Sequence, residues 1–344
     1  MKTEMHLSAL RDLDPAPLRA TDPTLRLRSE ARLQQILATA PTPGPQRQPR
    51  PVRRRVMLAS VAALLLAGVI VATDVIIPGK SGASAEAAQV LEATASATIT
   101  ASDPPVGPGQ YLKIDTKAVY PSFGGLSGPP SVWLEQANGQ MYVPADRNGQ
   151  WTWNREARTP IVFFSDLAKE RAAEGNPMGK SQVIRADKGA FYGSPQIIFN
   201  GMPLDDAIKS LPRDPGRLLD VIYKQTHGLG PNAETEALIS VADILRKGVI
   251  PADLRAALYK AAALIPGVTV SDRQATLDGR NGVAIGISNW GGYLRQDIIV
   301  DPQNGLLIGE RTVLLRANGE YPGVPEGTAI SWTAVETSVV GSAP

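Results

Sequence analysis

The sequence predicts an α+β domain, a curved antiparallel, half-barrel-like sheet covered by helices, carried behind one membrane-spanning helix and a short helical tail. Three observations predict it. Residues 56–73 are 18 positions without a charge, directly after Arg53, Arg54 and Arg55. The part beyond residue 80 runs in the order helix, strands, helices, strands. Its strands follow one another through short turns rich in Asn-Gly, which suits antiparallel neighbours.

Taken from the N-terminus, residues 1–40 form a tail with one helix signal. In "TDPTLRLRSEARLQQILATAP", Asp22 suits the cap and Pro23 the first helical position, and Leu33, Ile36 and Leu37 share one face. Such a helix either docks a partner or is part of a topogenic tail whose arginines meet anionic lipid headgroups. Residues 41–55, "PTPGPQRQPRPVRRR", read as an extended Pro/Arg-rich linker.

The apolar segment 56–77 follows. Eighteen helical residues span about 27 Å, near the thickness of a hydrocarbon core. Asp74 falls at the far interface, where a charge is tolerated. Residues 1–55 hold eleven Lys/Arg against five Asp/Glu, a net of +6, and residues 74–344 hold 24 against 28, a net of −4. The positive-inside rule places the tail in the cytoplasm and residues 80–344 outside, in contact with membrane lipid at Arg53, Arg54, Arg55 and Asp74. A cleavable leader is the main rival, because "ASA" at 83–85 fits a cleavage site; the 55 preceding residues and the length of the run favour an anchor. A buried core helix is the other rival, and the triple arginine at its mouth argues against it.

The outer domain, 84–340, opens on "SAEAAQVLEATASATI", a short helix with Ala87, Val90 and Leu91 on its apolar face. "QYLKIDTKAVY" alternates as a strand. "SVWLEQANGQMYVPADRNGQWTWN" predicts a three-strand meander turning at Asn138-Gly139 and Asn148-Gly149. Trp151 and Trp153 alternate on one face of it, either as sheet packing or as a ligand-facing aromatic pair. About three amphipathic helices occupy 203–266, with Asp214 and Pro215 opening one and Lys247-Gly248 closing another. Strands return to the end, with Asn281-Gly282, Asn304-Gly305 and Asn318-Gly319 at or near three connections.

The chain has no cysteine, which removes disulfides, cysteine nucleophiles, Cys-based zinc sites and cysteine-linked lipid anchors. Its two histidines are too few for a histidine-rich metal site. His227 in "KQTHGLGPN" has no nucleophile elbow to serve, and "FGGLSGPP" (123–130) lacks the lysine and the strand-to-helix setting of a phosphate loop. Asp205 and Asp206 are adjacent and read as a solvated first turn of a helix. Neither catalytic, cofactor nor metal residues are expected, and the acidic outer segment gives no support to nucleic-acid binding.

The segments "RRRVMLASVAALLLAG", "LPRDPGRLLDVIY", "LRAALYKAAALIPGVTV" and "IIVDPQNGLLIGERTV" resemble a family of uncharacterised actinobacterial single-pass membrane proteins. The resemblance implies a membrane-bound accessory of an extracytoplasmic-function sigma factor; the bipartite topology and the helix signal at 22–39 offer residues 1–55 as the segment that would engage it. It carries no site residues. Zinc-type anti-sigma domains use a His-x3-Cys-x2-Cys arrangement, which this cysteine-free chain lacks. By element order alone, the outer domain is also similar to half-barrel lipoprotein carriers and periplasmic sensors, which would imply a module for an apolar ligand such as lipid.

Overall fold

The computed structural model describes residues 82–344, apart from 102, 125–127, 175–178 and 200. The tail, the linker and the apolar segment 56–77 lie outside the described residues, as do Arg53, Arg54, Arg55 and Asp74. Among the described residues, no helix is long and apolar enough to cross a membrane.

The described chain is α+β, with one large antiparallel sheet. The first helix, α1 (Ala85–Ala101), is longer than the sequence suggests. The strands β1 (Tyr111–Gly124), β2 (Ser131–Gln136), β3 (Gly139–Pro144), β4 (Gln150–Arg155) and β5 (Thr159–Phe163) come next. Then come α2 (Asp166–Glu174), β6 (Gln182–Asp187) and a small separate hairpin, β7 (Ile197–Ile198) with β8 (Met202–Pro203). The helical middle holds α3 (Leu204–Ser210), α4 (Pro215–Gln225), α5 (Ala233–Leu245) and α6 (Ala252–Ala262). The chain ends on β9 (Thr269–Leu277), β10 (Arg280–Asn289), β11 (Leu294–Asp301), β12 (Leu306–Leu314) and β13 (Ala329–Val340).

The sheet runs β6-β4-β3-β1-β13-β12-β11-β10-β9, every neighbouring pair antiparallel. The expected meander is corrected at Asn138-Gly139. Strand β2 does not turn back on β3: both lie antiparallel to β1, β3 along Tyr111–Thr116 and β2 along Val119–Gly124. They are one long strand interrupted at Ala137, whose N–H still bonds the carbonyl of Ala118. Strands β4 and β5 repeat this on the next edge, with the N–H of Glu156 bonded to the carbonyl of Asn138. Asn148-Gly149 does end a hairpin, between β3 and β4. The β9–β10 turn is made by Asp278-Gly279, both at positive φ (49° and 74°), and Asn281-Gly282 lies inside β10. Two consecutive positive φ values define the type I′ turn that matches strand twist, and Asp-Gly supplies them at low cost.

Side-chain periodicity sorts the sheet into two faces. On one, Ile285, Ile287, Ile298, Val300, Leu307, Val335 and Ile114 join a core with buried residues of α1, α4, α5 and α6. Helix α5 is buried on ten of its thirteen residues, consistent with a helix enclosed on most sides. On the other face, Ala275, Leu277, Ala284, Ile299, Ile308 and Ala334 form a smaller core. There the β9–β10 tip folds across β11 and β12. Arg280 donates to the carbonyls of Val335 and Ile308, both at 3.0 Å, and Asp278 pairs with Lys117 of β1 at 2.9 Å.

Candidate functional site

The interface between α5 and the sheet is not uniformly apolar. Strand register sets Gln296 opposite Thr312 and Thr312 opposite Ser331. In the next row Ile298, Glu310, Thr333 and Ala118 lie side by side, and Tyr120 is opposite Glu135. Gln296 is two residues from Ile298, so this polar row points at the helices. Gln296, Glu310, Thr312, Ser331, Thr333 and Glu135 are all buried.

Helix α5 answers with Glu236, Ser240 and Asp243 at i, i+4 and i+7, followed by Arg246 just past its end. A chain of bonds joins the two elements. The hydroxyl of Thr312 donates to Gln296 Oε1 at 2.8 Å, and Gln296 Nε2 donates to Glu310 Oε2 at 3.0 Å. Arg246 Nε lies 3.2 Å from Glu310 Oε1, and its terminal nitrogen lies 2.9 Å from Asp243 Oδ1. Burial disfavours the Arg246 cation; the carboxylates of Asp243 and Glu310 together outweigh that and raise its pKa above the ordinary arginine value. A buried charged group is tolerated when paired in this way, and removing one partner leaves the other stranded.

A second charged centre lies on the opposite face. Asp297, fully buried, accepts from Arg295 (2.7 and 3.0 Å), Arg311 (2.7 Å) and Ser271 (2.8 Å). Gly286 stands directly across from it on β10, where a Cβ would come within 2.0 Å of Asp297 Oδ1. Burial lowers the pKa of Arg295, and Asp297 with Asp272 together outweigh that and raise it above the ordinary arginine value, so the guanidinium stays charged. Both centres are ion-paired, and no group of three or more His, Cys, Asp or Glu placed to hold a metal occurs among the described residues. Chemically, the first centre fixes α5 at one height against β11 and β12; the second fixes the register of β9 to β12.

Trp151 and Trp153 both sit in the helix-side core. Trp151 Nε1 donates to the carbonyl of Arg147 at 2.9 Å, and the Trp153 ring lies 5.6 Å from that of Phe191. His227 is exposed just after α4. Asp205 and Asp206 occupy the first turn of α3. The polar row went unnoticed in the sequence. Its signal is a polar residue at an inward position of an otherwise apolar strand: Gln296 in "YLRQDIIV" and Glu310 in "LLIGERTVLL". No family model, no curated protein and no solved structure matches this chain.

Proposed function

We propose that the chain is a single-pass membrane regulator, with residues 1–55 in the cytoplasm, residues 80–344 outside, and a role that is non-enzymatic and linked to an extracytoplasmic-function sigma factor. The observation that carries this reading is the way the outer domain begins. Helix α1 starts eight residues after Ile77, the end of the apolar segment, and is built into the domain rather than hung from it. Ser84 accepts from the N–H of Ala87 as a cap, Ala87, Leu91 and Ala95 are buried, and Glu86 makes a bidentate pair with Arg273 of β9. Near the other end of α1, Asp103 bonds the N–H of Ala252 and the Arg255 side chain at the start of α6. On this reading, a displacement at the start of α1 is what the domain would pass to the segment 56–77. The ion-paired α5 interface is the element whose position an outside signal would bias.

The alternative, a tethered carrier for an apolar ligand such as lipid, draws support from the large antiparallel sheet with helices packed against one of its faces. It is disfavoured by what occupies the space between sheet and helices: the rings of Trp151, Trp153 and Tyr259, and the charged row under α5. The test is co-purification from detergent-solubilised membranes, comparing the full chain with one lacking residues 1–40. Recovery of a sigma factor that depends on those residues is the expected result. Equal recovery with both chains, or none with either, overturns the reading.

A further inference from the structure

The point where the chain enters the outer domain is fixed by two backbone bonds. The N–H of Ala83 bonds the carbonyl of Ala263 at 3.1 Å, and the N–H of Ser84 bonds the carbonyl of Val268 at 2.8 Å. The loop 263–268 that joins α6 to β9 thus lies beside the entering chain. Within it Ala263, Ile265 and Val268 are buried, and Leu264 between them is 44% exposed. A lone exposed leucine is ordinary on a protein surface. This one is set apart by position. From Ile77 to Gly82 the chain has five residues, which reach about 18 Å at full extension. With residues 56–77 read as a membrane span, that reach is an upper bound on how far the loop can stand from the bilayer surface.

We infer that the 263–267 loop is a lipid-contacting surface, with Leu264 seated at the headgroup–acyl boundary of the outer leaflet. The inference rests on the reading of residues 56–77 as a membrane span. Its occupant is the bilayer itself, because the short tether keeps that surface within reach at all times. Helices α1 and α6 run antiparallel, since Ala83 meets Ala263 at one end and Asp103 meets Ala252 at the other. Sixteen residues of rise put Ile99 about 24 Å from the entry point. Ile99 is 53% exposed, so it is an apolar control of equal character on the far end of the same helix.

The chain has no native cysteine, which makes single-site labelling direct. Leu264→Cys and Ile99→Cys are introduced separately into the full chain, labelled with an environment-sensitive fluorophore, and reconstituted into phosphatidylcholine/phosphatidylglycerol vesicles carrying nitroxide lipid. Flotation with the vesicles is checked first. The expected result is that the label at 264 is quenched severalfold more than the label at 99, and that 264 reacts severalfold more slowly with a membrane-impermeant maleimide. Equal quenching at both positions, in a chain that floats, overturns the inference and leaves the span intact. Slow maleimide reaction at 264 without lipid quenching assigns its cover to protein and also overturns it. A chain that does not float removes the span and the inference together.

Discussion

At the scale of single residues, polar atoms in the core separate into those that are answered and those that are not. Tyr259 of α6 is fully buried, and its hydroxyl has no hydrogen-bond partner among the described residues. An unanswered buried hydroxyl carries its desolvation cost with nothing against it. Tyr259→Phe removes the oxygen and keeps the ring, so it is expected to stabilise the domain by about 1 kcal/mol, against the usual sign for a core substitution. The pH dependence has a definite direction. Burial raises the Tyr259 pKa above its ordinary value, so the folded state keeps the proton while the unfolded chain gives it up. Stability from this group is full below the unfolded pKa of about 10 and is lost above it, at up to about 1.4 kcal/mol per pH unit. Urea unfolding at neutral pH and at alkaline pH checks both parts. The Phe variant should be the more stable at each, with a gap that widens as pH rises.

At the scale of elements, α5 and the sheet depend on one another through Arg246, Asp243 and Glu310. Arg246→Met takes the cation away from the buried carboxylate of Glu310 and the partly buried one of Asp243, and is expected to cost about 3–5 kcal/mol. Adding Glu310→Leu removes one of them and should recover part of the loss, a coupling that a double-mutant cycle in urea reads directly. Nothing in a linear reading points to this contact, because α5 and β12 are about sixty residues apart and each looks ordinary alone. The helices themselves were legible. Asp214 accepts from the N–H of Arg217 as the sequence suggests, and α4, α5 and α6 fall within the helical stretch 203–266. The Asn-Gly at 138–139 misled for a physical reason. The dipeptide satisfies the backbone angles of a tight turn, but the register of β1 with both β2 and β3 holds the chain extended through it. Residues 155–202, with β5, α2 and β6, gave no clear period and went unassigned; β5 and β6 are exposed at alternate positions and carry little apolar pattern.

At the scale of the whole molecule, an α+β domain with a large antiparallel sheet was readable because element order and turn chemistry survive in sequence, whereas the sites are made by register across five strands. The regulator reading places its weight on the short connection between the apolar segment and α1. If that connection is what holds the domain at the bilayer, lengthening it must release the domain without unfolding it. Inserting about ten Gly/Ser residues after Lys80 adds a flexible coil with a root-mean-square span of about 17 Å, about as much again as the native connection reaches at full extension. The local concentration of the 263–267 loop at the lipid surface then falls steeply. Helix α1 keeps its cap at Ser84 and its pairing with Arg273, so the thermal midpoint of the domain should not change. Lipid quenching of a label at Leu264→Cys should fall severalfold in the lengthened chain. Quenching that persists would mean the loop holds the bilayer by its own affinity, and that α1 does not act as the mechanical link between domain and membrane.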